Sequence, residues 1–162
     1  CSPPRSSPAS SAAAAVVKGL RLAGWQNRRL WAVPLLWVLH LGYGWIVAAF
    51  ALLALAAAGL LPQSLAVHAF TVGAMGGLIL GMMARVSLGH TGRRLEAATV
   101  MAWAFAVLNL GALVRVVLPL AAPAAEPLAW QLSGGLWIAA YLVFVAVYTP
   151  VLLRARVDGK PG

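Results

Sequence analysis

The chain has 162 residues, 62% of them hydrophobic and only 9% charged, whereas a soluble domain carries about a quarter of its residues as charges. That composition excludes an ordinary soluble globule and points to a membrane protein. Twelve Lys and Arg against three Asp and Glu give +9, but the cations flank apolar runs as topology signals do, which sets nucleic-acid binding aside.

Residues 1–15 (CSPPRSSPASSAAAA) are rich in Ser, Pro and Ala and lack an apolar period. They read as a disordered segment, without the basic start and apolar core of a signal peptide. The chain therefore reads as the tail of something longer. Residues 16–34 form a basic segment carrying Lys18, Arg21, Arg28 and Arg29.

Four nearly uncharged runs follow, at about 35–61, 65–86, 97–120 and 128–153. Each is long enough to cross roughly 30 Å of hydrocarbon as a helix of about 20 residues. The predicted fold is all-α and polytopic: four antiparallel transmembrane helices over 35–153, forming part of a larger helical bundle. Pro62 breaks the first pair, the polar loop 87–96 the second, and Pro119, Pro123 and Pro127 bracket the third. A tail, 154–162, closes the chain.

Alternating crossings place 16–34, 87–96 and the tail on one face, where nearly all the basic residues lie. Cytoplasmic loops carry the excess of Lys and Arg, so that face and both chain ends are predicted to be cytoplasmic, in a multi-pass protein of the inner membrane.

The second span is two-sided on a 100° wheel. Val72, Met75, Ile79 and Met82 fall on the side of His68, while Gly73, Gly77 and Gly81 fall opposite. The glycine ladder reads as a helix-packing surface. The methionines read as adaptable filling or as soft ligands.

Three histidines are candidate ligands. His68 lies one turn inside the outer edge and binds either a metal or a neighbouring carbonyl. His40 lies inside the cytoplasmic edge, as a ligand or as part of an aromatic belt with Trp37 and Tyr43. The antiparallel spans separate the two by an expected 20–25 Å along the membrane normal, so they cannot share one metal ion. His90 follows the second span in Gly89-His90-Thr91-Gly92, a turn that with Arg93 and Arg94 could cradle a phosphate or carboxylate. With Met82 or Met83, His90 is a candidate copper site.

Arg115 is the one charge well inside a run. It either snorkels to the outer headgroups or holds an acidic group. Asn109 reads as an interhelical hydrogen bond. Glu96, Glu126 and Asp158 are the only carboxylates, none deep in a span, and the single cysteine is Cys1. No acid/base pair, nucleophile triad or Cys-x-x-Cys-His is present, so hydrolysis is unsupported, while chemistry carried by a noncovalent metal centre stays open.

Three segments together resemble the NnrS family: Leu35-Leu-Trp-Val-Leu-His-Leu-Gly-Tyr-Gly-Trp45, His68 through Leu95, and Arg156-Val-Asp-Gly-Lys-Pro-Gly162. The resemblance runs from about residue 20 to the end, and residues 1–15 have no recognised counterpart. NnrS proteins have roughly twelve spans, so the chain is similar to the C-terminal third. The resemblance implies a haem- and copper-containing protein of the bacterial inner membrane, tied to nitric oxide and nitrosative stress. The positions that could bear metal are then His40, His68 and His90, with His68 and His40 as haem-ligand candidates and Arg115 as a propionate partner. Expected partners are the bilayer, further helices of a longer parent and nitric oxide. A transporter fragment, or a packing module without cofactor, is the alternative expectation.

Overall fold

The computed structural model describes residues 7–159, so expectations for residues 1–6 and 160–162 lie outside the described residues. All regular structure among the described residues is helical. Four stretches are long and apolar enough to cross a membrane: Pro34–Ala57, Gln63–His90, Thr99–Ala121 and Pro123–Leu152. Chain punctuation sets their ends. Proline fixes the first turn of α2 (Pro34–Ala57), and Gly59, at φ +77°, turns the chain beyond its end.

The second crossing is not one uniform helix. It begins as α3 (Gln63–His68), widens into a π-helical segment over Ala69–Met75, and continues as α4 (Gly76–His90). A π turn holds more residues than an α turn, so seven such residues rotate the helix surface by on the order of 100°. The single His/Met face expected from a uniform wheel is thereby broken. Met75, Met82 and Met83 point out of the described bundle, at 54%, 45% and 41% exposure. The buried methionine is Met101, on α5 (Thr99–Ala121).

The glycines of this crossing face α2. A Cβ on Gly73 would strike the Trp45 indole and one on Gly81 the Val38 side chain, while Gly77 lies over Gly42. Such close backbone approach is how helices associate where lipid removes the hydrophobic drive. The register 73 with 45, 77 with 42 and 81 with 38 fixes the depth of everything on these two crossings.

At the basic end, Leu35, Val38, Leu80, Ala84, Met101, Phe105 and Tyr148 form the main packed core, with Phe144 of α6 (Glu126–Leu152) stacked on Tyr148. A smaller cluster, Ala49, Ala69 and Val116, closes the far end.

One helix departs from the sequence expectation. Residues 8–15 are not irregular: α1 spans Pro8–Gly24, opened by Pro8 and capped by Ser7, whose side chain accepts from the Ser10 N–H at 3.2 Å. Nor does the basic segment lie wholly beyond the inner end of the span. α1 runs antiparallel along α2, with Trp25 beside Tyr43, Gly19 against Val47 and Lys18 over the Phe50 ring. Small Ala, Ser and Gly side chains allow this approach, and aromatic faces receive the two cations, Lys18 on Phe50 and Arg21 on Trp25. Ser7 therefore lies towards the end of the bundle opposite Asp158, not beside it.

Candidate functional site

Polar groups within a bilayer must find partners inside the protein. The described residues gather them in three places.

At the far end, His68, Arg115 and Trp130 converge from three crossings. Arg115 Nη2 lies 3.1 Å from His68 Nε2. A guanidinium has donors only, so Nε2 is the acceptor, the ring proton sits on Nδ1 and His68 is neutral. The guanidinium also covers the Trp130 ring at 4.8 Å, and the His68 ring meets the same indole edge-on. Arg115 Nε is buried without a hydrogen-bond partner. Arg115 is thus held by a neutral acceptor and an aromatic face, and no ion pair to it forms among the described residues. Beside it a cleft of about 370 Å³ is lined by Val72, Arg115, Ser133, Gly134, Trp137 and Ile138. The π segment starts directly after His68, a distortion that favours functional positions. Tyr141 clamps its lower end by donating to the Gly76 carbonyl at 3.2 Å.

On the α2 side towards the basic end, His40 is buried at 8% exposure. Its Nε2 lies 2.9 Å from the Gln26 amide nitrogen, which donates, and Trp31 meets the ring edge-on at 5.8 Å. Both partners come from the segment joining α1 to α2. There a short 3₁₀ turn, Arg28–Ala32, is capped by Asn27, whose side chain accepts from the Arg29 N–H.

The depths of the two histidines follow from the register. Phe50 meets Phe70, and Ala49 packs with Ala69, so His68 lies level with residues 50–51 of α2. That is ten residues beyond His40, or about 15 Å along the axis, shorter than expected but still too far for a shared ion.

His90 is the last residue of α4 rather than part of a free loop, and it is exposed. Met83 lies two helical turns before it, about 10 Å along the axis, and Met82 lies one residue further. The helix does not bring this trio together. The turn after His90 is already occupied. Gly92 N–H donates to Gly89 O and Arg93 N–H to Leu88 O, and the carboxylate against Gly92 is that of Asp158. Arg156 holds Asp158 through two bonds of 2.9 and 2.6 Å, Val157 N–H donates to Thr91 O, and Arg93 reaches the Val151 carbonyl. Hydrogen bonding to Asp158 raises the Arg156 pKa above the ordinary arginine value. The expected anion cradle is a clasp on the chain's own tail.

Trp45 Nε1 donates to Asn109 Oδ1 at 3.1 Å, and Asn109 Nδ2 donates to the Phe105 carbonyl. This is the interhelical bond expected of Asn109. The pair walls an apolar groove of about 590 Å³ between α2 and α5. Neither this groove nor the cleft beside Arg115 is lined by a histidine. No group of three His, Cys, Asp or Glu converges among the described residues. The donor set seen here therefore does not fit a complete haem or copper centre. It offers one nitrogen held by a displaceable neutral amide, at His40, and one committed to an arginine, at His68.

Sequence reasoning missed Gln26 and the pairing of His68 with Arg115. Nor did it give Trp31 or Trp130 any contact with the histidines. Nothing local marks these partners, which come from 14 and 47 residues away along the chain.

No curated protein and no solved structure matches the chain. The family model described as NnrS protein matches residues 3–156, including most of the Ser/Pro/Ala-rich start that had no recognised counterpart. A multi-pass membrane bundle matched over nearly its whole length in this way belongs to the NnrS family.

Proposed function

We propose that this chain is part of a haem- and copper-dependent protein of the bacterial inner membrane acting in the nitric oxide response. Family membership supports the general reading. The observation that carries the chain's own contribution is His40, a buried imidazole whose Nε2 is held only by the neutral Gln26 amide. Exchanging a neutral amide for a metal ion uncovers no charge, and Trp31 already fixes the ring plane. His40 is the residue of this chain that would hold the metal. His68 is less suited, because ligation through Nε2 requires Arg115 to leave. The remaining ligands come from further helices of a longer parent protein.

When bound, the prosthetic group supplies the redox and nitric-oxide-binding chemistry. The residues of this chain position it and exclude water. The test is the haem and copper content of the intact protein purified in detergent, by pyridine haemochrome and elemental analysis. Stoichiometric haem is expected. Intact, folded protein with neither haem nor copper overturns the reading.

A further inference from the structure

We propose that the cleft beside Arg115 is a binding site for an anionic phospholipid of the outer leaflet, with Arg115 holding the headgroup phosphate. The cleft is graded from polar to apolar along the membrane normal. Counting from the far ends of their helices, Arg115 lies six residues and Ser133 seven residues inside, or about 9–10 Å. Trp137 and Ile138 lie deeper, at about 16–18 Å. The Arg115 head is drawn back outwards to the level of Trp130 and His68.

At the polar end Arg115 is short of bonded acceptors. His68 occupies one of the five guanidinium donors, and Nε is buried with none. Glu126, the nearest acid, acts on Arg115 only through its field, with no bond to it. Ser133, buried at 3% exposure, donates to its own helix at Trp130 O, 3.2 Å, and leaves Arg115 as the headgroup's anchor. The apolar end is open: a side chain at Gly134 would meet nothing within 4 Å. A phosphate at Arg115 with an acyl chain along Val72, Gly134, Trp137 and Ile138 satisfies both ends. A small oxyanion satisfies only the first. By the charge bias of the loops, this end faces the outer leaflet.

The experiment uses the full protein in nanodiscs. Quenching of tryptophan fluorescence by brominated-chain phosphatidylglycerol is compared with brominated phosphatidylcholine for wild type, Arg115→Gln and Gly134→Leu. Wild type should prefer the anionic lipid by about fivefold, the effect of one cation at a lipid surface. Arg115→Gln should abolish the preference, and Gly134→Leu, which keeps the charge and fills the cleft, should weaken quenching by both lipids. Inorganic phosphate at millimolar concentration should not compete. Equal quenching by the two lipids in wild type overturns the proposal. So does competition by free phosphate, or Arg115→Gln that keeps its lipid preference but loses bound haem, which would assign Arg115 to a propionate. Haem content unaffected by Arg115→Gln leaves the His40 reading standing whichever way the lipid result falls.

Discussion

The glycine ladder looks uniform in the sequence, yet its three members should respond very differently to alanine. A Cβ at Gly73 would lie 2.5 Å from Trp45 Cγ and 2.8 Å from Cε3, and would also strike Cδ2. The indole must retreat by about 1 Å to restore ordinary contact, but its Nε1 is tied to Asn109 at 3.1 Å. Overpacking of this kind costs about 1–3 kcal/mol, and losing an interhelical hydrogen bond in a membrane adds about 0.6. Gly73→Ala should therefore cost about 2–4 kcal/mol. Gly81→Ala meets Val38 Cγ1 at 2.7 Å and Leu39 Cδ2 at 3.1 Å, side-chain ends that can shift, for about 1–2 kcal/mol. Gly77→Ala comes within only 3.8 Å of Gly42 Cα. It should be neutral, or gain up to about 1 kcal/mol from helix propensity. Unfolding in mixed micelles with rising SDS, followed by tryptophan fluorescence, measures the three side by side. Gly77→Ala as damaging as Gly73→Ala would refute the register of the two crossings.

Three further outcomes are expected. Gly92→Ala combines a backbone at φ +70° with a collision on the Asp158 carboxylate, so it should spring the tail clasp and speed tryptic cleavage at Arg154 and Arg156; unchanged cleavage would count against the clasp. The clasp should hold through mild base. A raised Arg156 pKa keeps its contribution intact below the ordinary arginine value, to be lost only as pH rises through the still higher folded one. Amide exchange at Val157 from neutral to mildly basic pH measures it, and protection lost across that range would count against the pair. In a Cys1→Ser background, cysteines at Ser10 and Gly159 should label from opposite sides of the membrane, since α1 runs antiparallel along α2; labelling from one side would overturn that placement.

The crossings were legible because bilayer thickness demands long runs without charge, and Leu35 to Leu153 supplies four of them. At Gly73 and Gly81 a side chain would strike Trp45 and Val38, so the ladder marks the face turned to α2, although Gly77 has room for a Cβ. The π segment was not legible. A uniform wheel assumes 100° per residue, and the extra residues in Ala69–Met75 turn Met75 and Met82 away from the face assigned to His68. α1 escaped notice because its first half is Ala- and Ser-rich and its apolar residues Val16, Val17 and Leu20 face away from the bundle; its contacts are with Val47 and Phe50 on another helix. The partners of His40 and His68 were illegible for the same reason. A hydrogen bond between residues far apart in sequence leaves no local pattern, and Arg115 reads identically whether it snorkels or holds a histidine.

The central claim is that the two intramembrane histidines have different roles, His40 available to a metal and His68 committed to Arg115. Absorption spectra of the intact protein carrying His40→Ala or His68→Ala test it most directly. The account predicts that the Soret band is lost or shifted in the first variant and retained in the second. A Soret band untouched by His40→Ala and abolished by His68→Ala would contradict it.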